Sequence, residues 1–238
     1  MTKVLTENLG DAKIMILSQV GKNHIKSNAE NQDSYAYRFD KSIGYAFAVA
    51  DGVGSCVNAK KGSETACKVI CDLLQAVENK TEDEIRKFLF YEWKNRIGKD
   101  LNNFCSTLNF CYIFKHRVII GKIGDGAVIL KDGNTFHTLF SESEFYTSET
   151  FALGEVLPKA AFEISIIERK VSEEISLLMI TDGIAKEIEY SKKDLFASYI
   201  FSNIQNENFV IELQEWIDDL DKKNGDDKTI FICDWKKK

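Results

Sequence analysis

Residues 106–139 read STLNFCYIFKHRVIIGKIGDGAVILKDGNTFHTL. Apolar, β-branched segments alternate here with Gly-Asp-Gly and Asp-Gly-Asn, which are turn sequences. The pattern predicts four strands, which are Ser106–Lys115, Arg117–Ile123, Ala127–Lys131 and Thr135–Leu139. Connections this short join antiparallel neighbours, because a parallel pair needs a crossover of a dozen or more residues. The stretch therefore predicts antiparallel sheet.

Helical patterns lie on both sides of this run. Apolar residues recur at helical spacing in Lys60–Asn79, Glu82–Arg96, Lys192–Ile204 and Glu207–Asp221. Further strands are predicted at Ala12–Val20, Tyr35–Phe39, Ile43–Ala50, Phe162–Glu168, Ser176–Thr181 and Thr229–Cys233. Strands and helices do not alternate regularly, so a doubly wound parallel sheet is disfavoured. The order favours an α+β fold with helices packed outside antiparallel sheets.

Composition limits the classes of function. The chain has 238 residues, 44% of them hydrophobic, which is enough for the core of one large domain. A net charge of −6 and the lack of a basic stripe argue against nucleic acid as a partner. No run reaches transmembrane length, and Met1–Asp11 lacks the layout of a secretory signal. Six cysteines without a Cys-x-x-Cys pair are typical of a reduced, cytoplasmic protein, and we expect no membrane partner.

Acidic residues follow several predicted strands. Three apolar runs end in Asp-Gly, at Asp51-Gly52, Asp125-Gly126 and Asp182-Gly183, and Asn31-Gln32-Asp33 and Asp226-Asp227 lie beside other strands. One such Asp-Gly usually means a tight turn. Several carboxylates gathered in one cleft would repel each other unless cations neutralise them. Because Mg²⁺ and Mn²⁺ prefer oxygen ligands, the pattern predicts a site for these ions.

A pair of such ions has a defined chemistry. Two ions roughly 4 Å apart can share a carboxylate and a water, and they lower the pKa of that water. Hydroxide is then available near neutral pH, and attack on phosphorus is the natural reaction.

The motifs, taken in order, resemble the signature of the protein phosphatase 2C family. They are Gly21-Lys22-Asn23-His24 through Asn31-Gln32-Asp33-Ser34-Tyr35, then Ala50-Asp51-Gly52-Val53-Gly54, Gly124-Asp125-Gly126, Thr181-Asp182-Gly183 and Asp226-Asp227-Lys228-Thr229. The resemblance spans nearly the whole chain. It looks closest to the compact bacterial members, which have a similar Asp-Gly-hydrophobic-Gly form.

The resemblance implies a fold and an activity. The fold would be a four-layer α-β-β-α sandwich, with two antiparallel sheets inside and helices outside. Residues 1–238 would form a single catalytic domain with a flap at about residues 141–160. The activity would be hydrolysis of phosphoserine and phosphothreonine in proteins, without a covalent intermediate, by two Mn²⁺ or Mg²⁺ ions and a weaker third. The implied partners are a phosphoprotein and its opposing kinase, and we expect a monomer.

Site residues are carried over by position. The resemblance implies that Asp51 bridges both ions and that the Gly52 carbonyl binds one of them. Asp182 and Asp226 would complete the shell of the other ion, with Asp227 as the fallback for Asp226. Metal and water contacts are also implied for Asp33, which would orient metal-bound waters, and for Asp125, which with Asp182 would hold the third ion.

Several positions depart from the family pattern. Gln32 stands where many members have Glu, and its amide can still accept a hydrogen bond from a bound water. Lys186 falls about where some members have a third-metal aspartate, so a third ion is expected to bind poorly or to be replaced by the ammonium group. Val53 replaces a histidine proposed as general acid in animal members. His24 is the alternative proton donor, although a histidine that merely hydrogen-bonds a loop fits equally well.

The phosphate-binding arginine of the family would fall at Asn28. Lys26 or Lys22 could supply that charge, although a solvated surface lysine is the usual role for such residues.

Three other functions are alternatives to an active phosphatase. A non-catalytic phosphatase-like module that binds a phosphoprotein is the main rival, and the retained aspartates argue against it. A receiver domain phosphorylated on Asp51 would need alternating strands and helices, which residues 106–139 contradict. A phosphohydrolase of small molecules would share the metal chemistry and differ in pocket depth.

Overall fold

The computed structural model describes residues 2–140, 151–156, 161–168 and 174–236. Their strands are β1 Thr2–Leu9, β2 Ala12–Gln19, β3 Ser34–Asp40, β4 Gly44–Ala50, β5 Leu108–Ile113, β6 Arg117–Ile123, β7 Ala127–Asp132, β8 Thr135–Phe140, β9 Phe162–Glu168, β10 Glu174–Ile180 and β11 Lys228–Lys236. Their α-helices are α1 Lys22–Ser27, α2 Ala59–Asp72, α3 Leu74–Val77, α4 Glu82–Ile97, α5 Asp182–Ala185, α6 Lys193–Asn203 and α7 Phe209–Lys223.

The strands form two antiparallel sheets. The first has the order β1-β2-β11-β10-β7-β8 and the second has the order β3-β4-β5-β6-β9. The predicted hairpins β5–β6 and β7–β8 are present. Between them, at Gly124-Asp125-Gly126, the chain passes from the second sheet to the first. The antiparallel pairing expected across this turn is therefore wrong, because the turn carries the chain from one sheet to the other, and the run is shared by both sheets.

Three apolar clusters hold the layers together. The middle cluster lies between the sheets and includes Ile16, Phe47, Met179 and Phe231. A second cluster joins α2 and α4 to the second sheet, and a third joins α6 and α7 to the first sheet. The four-layer α-β-β-α fold is thus confirmed. No helix among the described residues is both long enough and apolar enough to cross a membrane.

Three of these strands and α-helices are not predicted from the sequence. Strand β1 lies at the edge of its sheet and half of its residues are exposed, so it carries no clear apolar alternation. Helix α1 has six residues and buries none of its side chains, and α5 has only four residues. The single helix predicted for Lys60–Asn79 is interrupted at Leu73, where α2 ends and α3 begins.

The predicted flap falls mostly on residues 141–150 and 157–160, which lie outside the described residues. Within 151–156, the backbone of Leu153 pairs with Ser106, and the two exchange hydrogen bonds of 2.8 and 3.2 Å. Ser106 also bridges to Gly52. The described part of this segment is therefore attached to the loop that follows β4.

Candidate metal centre

Antiparallel pairing brings the acidic motifs to one end of both sheets. In the first sheet Ile180, the last residue of β10, lies opposite Ala127 and Ile230, so the end of β10 is next to the starts of β7 and β11. In the second sheet the end of β4 at Ala50 lies opposite Ser34, the start of β3. In an antiparallel pair, one strand ends where its neighbour begins, at the same end of the sheet. Residues that follow one strand therefore meet residues that precede its neighbour.

A cleft of about 290 Å³ lies at this end of the molecule. It is lined by His24, Gln32, Asp51, Gly52, Val53, Gly54, Thr107, Asp125, Asp182, Lys186 and Asp226. The structure thus brings together the predicted residues Asp51, Gly52, Asp125, Asp182 and Asp226, with His24 at the same cleft. Lys26 is exposed in the last turn of α1 and is not among the described residues that line the cleft.

The loop after β4 holds Asp51 through its backbone. The carbonyl of Asp51 accepts hydrogen bonds from the Thr107 amide at 2.8 Å and from Ser106 Oγ at 3.0 Å. Its amide donates to Thr107 Oγ1 at 3.0 Å. At Gly52 a Cβ atom would lie 2.5 Å from the carbonyl oxygen of Ala59 in α2, so only glycine fits there. The motif glycine allows α2 to pack directly against the acidic loop.

Asp33 is buried behind the cleft. Its Oδ2 accepts a hydrogen bond of 2.8 Å from Thr181 Oγ1, whereas its Oδ1 is buried without a hydrogen-bond partner among the described residues. Burial, reinforced by the charge of Asp227, raises the pKa of Asp33 to about 8. Gln32 Oε1 is likewise buried and without a partner in the described part of the chain. Buried unpaired oxygens are costly, and a cation or its waters would satisfy them.

The carboxylates of the cleft also disturb one another. Burial raises the pKa of Asp51 well above its usual value, and the charges of Asp33, Asp182 and Asp226 raise it further. Burial and the charge of Asp182 raise the pKa of Asp226. Raised values mean that the ionised cluster is unfavourable by itself. This all-oxygen set fits a hard divalent cation, which would neutralise the cluster.

Asp227 is held by the scaffold and faces away from the cleft lining. Its two oxygens accept hydrogen bonds from the Gly21 amide at 2.7 Å, the Gln32 amide at 2.6 Å and His24 Nδ1 at 2.8 Å. The side chain is almost fully buried, whereas that of Asp226 is half-exposed and lines the cleft. These contacts favour Asp226 over Asp227 as the ligand.

Lys186 lies among the acidic residues. Its Nζ contacts Asp182 Oδ2 and is 4.0 Å from Asp226 Oδ2. Burial acts to lower the pKa of Lys186, but the charges of Asp182, Asp125 and Asp226 raise it overall. In residues 2–140, 151–156, 161–168 and 174–236, no three histidine, cysteine or carboxylate side chains are already assembled to hold one ion.

Three residues have roles that the sequence does not reveal. The sequence predicts Asp227 only as a substitute ligand, and it does not indicate that Thr107 and Thr181 hold Asp51 and Asp33. Thr181 stands directly before Asp182, which is the one local signal that pointed to it. The role of Thr107 depends on pairing between distant strands and leaves no local signal.

A family model described as Protein phosphatase 2C matches residues 20–220. The chain belongs to the protein phosphatase 2C family. The predicted family is therefore confirmed, and with it the enzyme class, a metal-dependent protein serine/threonine phosphatase. No curated protein matched the sequence.

Solved structures of protein phosphatase 2C type share the fold. RsbX in complex with magnesium is 15% identical with a TM-score of 0.63, and the match covers 98% of this chain and 100% of that chain. The S. agalactiae serine/threonine phosphatase is 16% identical with a TM-score of 0.64, covering 93% and 98%. The catalytic domain of PstP with two manganese ions is 16% identical with a TM-score of 0.61, covering 94% and 97%. At such identities the likeness establishes the fold, and the ions in these structures agree with the expected Mg²⁺ or Mn²⁺.

Proposed function

We propose that this protein phosphatase 2C member hydrolyses phosphoserine and phosphothreonine in proteins at a centre of two Mg²⁺ or Mn²⁺ ions. One observation carries the proposal, which is the buried carboxylate cluster formed where the two sheets end. Its oxygens include Oδ1 of Asp33, for which the described residues offer no hydrogen-bond partner, and the carboxyl of Asp51, whose pKa is raised well above its usual value. A cluster of this kind is stabilised by binding divalent cations.

Four residues would hold the two ions, and Asp33 would orient their waters. Asp51 and the Gly52 carbonyl follow β4, Asp182 begins α5, and Asp226 precedes β11. Asp33 lies behind them, and its Oδ1, which has no hydrogen-bond partner in the described part of the chain, can orient water. Bound ions would supply activated water for attack on phosphorus and would neutralise phosphate charge. Asp125, at the cleft beside Asp182, would contribute to a weaker third site.

His24 would donate the proton to the leaving oxygen. Its Nδ1 is directed to Asp227, so a proton on Nδ1 is held by that carboxylate and Nε2 is the nitrogen available to the cleft. A carboxylate at Nδ1 fixes the orientation of the ring. Val53 occupies the position of the histidine that animal members carry. Among the described residues that line the cleft, His24 is the only histidine, so it is the candidate for this role.

The natural partners would be a phosphoprotein and its opposing kinase. We further propose a cytoplasmic monomer formed by residues 1–238 as one catalytic domain. Six cysteines without a metal-binding or redox motif support the reducing compartment. Lys26 is not among the described residues that line the cleft, and this argues against a role in phosphate binding.

The test is hydrolysis of a phosphothreonine peptide by the purified protein with Mn²⁺, with Mg²⁺ and with EDTA. Asp51→Asn is the control, and its circular dichroism spectrum and melting temperature show whether it folds. We expect metal-dependent turnover that the folded variant loses by at least about 10²-fold, since one carboxylate serves both ions. Normal turnover by Asp51→Asn would refute the proposal, and metal binding without any turnover would favour the regulatory module.

A further inference from the structure

Lys186 is the only lysine or arginine among the described residues that line the cleft. It lies four residues after Asp182, directly beyond α5. Residues four apart on a helix share a face, so the ammonium group returns to the carboxylate at the start of the same turn. The local sequence Asp182-Gly183-Ile184-Ala185-Lys186 therefore builds an ion pair into the site.

The ammonium group also reaches a second, distant carboxylate. Its Nζ is in contact with Asp182 Oδ2 and is 4.0 Å from Asp226 Oδ2, which comes from the segment before β11. The charge of Asp125 acts on the same ammonium. Three acidic side chains from separate parts of the chain thus face one fixed positive charge. Their mutual repulsion is relieved by a covalently attached cation.

We propose that Lys186 is a tethered counter-ion that occupies the Asp182–Asp226 position in the metal-free protein and must be displaced by the divalent ion. This proposal rests on the proposed function only in one respect, which is that Asp182 and Asp226 are taken as metal ligands. The consequence is regulatory, because the protein then fills this position only at a higher Mn²⁺ or Mg²⁺ concentration than a neutral residue would allow.

Two further observations agree with this exchange. The Lys186 side chain is 41% exposed, so its flexible stem can turn the ammonium towards solvent. The ammonium contacts Asp182 and lies 4.0 Å from Asp226, whereas no three ligand groups of the described residues are assembled around one point. Displacement of the ammonium would release Asp182 and Asp226 to the same ion.

The experiment is calorimetric titration of the metal-free, full-length protein with MnCl₂. Lys186→Met removes the charge and keeps the length of the stem, and Lys186→Arg keeps the charge. Lys68→Met is the matched control, because Lys68 is exposed on α2 and its substitution changes the net charge by the same amount. We expect at least about tenfold tighter Mn²⁺ binding by Lys186→Met, because a unit charge close to a divalent ion repels it strongly even in water. Lys68→Met should match the wild type, and Lys186→Arg should bind no tighter than the wild type.

A second measurement follows the ammonium directly. Labelling of the wild type with an amine-reactive reagent, read by mass spectrometry, should rise several-fold at Lys186 when Mn²⁺ is added and stay constant at Lys68. It needs no variant, so it remains decisive if Lys186→Met does not fold.

The outcomes separate the two proposals. Unchanged Mn²⁺ affinity in folded Lys186→Met, or Mn²⁺-independent labelling at Lys186, would overturn the counter-ion while leaving metal-dependent hydrolysis intact. Tighter binding in a protein that hydrolyses no phosphopeptide would support the counter-ion and refute the proposed function. Absence of Mn²⁺ binding in the wild type and in Lys186→Met alike would overturn both.

Discussion

His24 Nδ1 and Asp227 Oδ2 lie 2.8 Å apart, and this contact joins α1 to the segment that precedes β11. The same carboxylate accepts hydrogen bonds from the amides of Gly21 and Gln32. One buried side chain therefore fixes three parts of the chain around the cleft. It also turns the imidazole so that Nε2 is the nitrogen left for chemistry.

His24→Gln tests the proton-donor role. The variant should lose about 10²-fold in kcat on a phosphothreonine peptide, because general-acid catalysis supplies roughly that factor. It should lose much less on p-nitrophenyl phosphate, whose leaving phenolate needs no proton from the protein. The measurement is kcat for both substrates with Mn²⁺ at saturation. Equal losses on the two substrates would return His24 to a structural role.

Asp227→Asn serves as the companion variant. It removes the carboxylate that orients the ring but leaves His24 in place, so kcat on the phosphothreonine peptide should fall by less than in His24→Gln.

Gly183→Ala should destabilise the protein. A Cβ atom at residue 183 would lie 2.0 Å from the backbone oxygen of Asp227, which is far too close for two packed atoms, so the backbone would have to shift. Overpacking of this kind costs about 1–3 kcal/mol of unfolding free energy. Urea unfolding in EDTA measures it apart from metal binding. Gly154→Ala is the control, because its nearest neighbour, Cys105 Sγ, would be 3.4 Å away; equal losses in the two variants would contradict the steric argument.

The stability of the protein should depend on pH through Glu84, which lies outside the cleft lining. In the capping box that begins α4, its Oε2 accepts hydrogen bonds from the Thr81 amide and from Thr81 Oγ1, both at 2.9 Å. These bonds lower the pKa of Glu84 from 4.5 to about 2. A lowered value in the folded state means that the stabilisation is complete above the unfolded pKa and is lost as the pH falls towards 2. The wild type should therefore be more stable than Glu84→Gln at pH 7, with the difference shrinking below about pH 4.

The measurement is urea unfolding of both proteins across this pH range. A difference that does not change with pH would show that the ionised carboxylate contributes nothing to the cap.

Lys186→Asp should strengthen Mn²⁺ binding beyond the effect of removing the ammonium. It adds a carboxylate close to Asp125 and Asp182, where the third ion of the family is expected. Equilibrium dialysis gives both affinity and stoichiometry. Lys186→Asn is the neutral control, and equal affinity and stoichiometry in the two variants would argue against a third site at this position.

Much of the fold follows from short-range pattern. Strands β5 and β6 are mostly apolar and are joined by only residues 114–116, so their existence and antiparallel pairing could be predicted. Strand β1 and helix α1 could not, because β1 is a half-exposed edge strand and α1 buries no side chain. Elements without an apolar face leave no periodic signal.

The sequence by itself determined the acidic motifs, their order and their position at strand ends, because each motif is local and turn chemistry marks it. Only the tertiary structure decided which carboxylate faces the cleft and which is held by the scaffold. Asp226 and Asp227 are neighbours with the same side chain, yet the Asp227 carboxylate is hydrogen-bonded to His24, Gly21 and Gln32. The reason is physical: hydrogen-bond partners of a buried group come from residues about 200 positions away, and only packing of the two sheets brings them together.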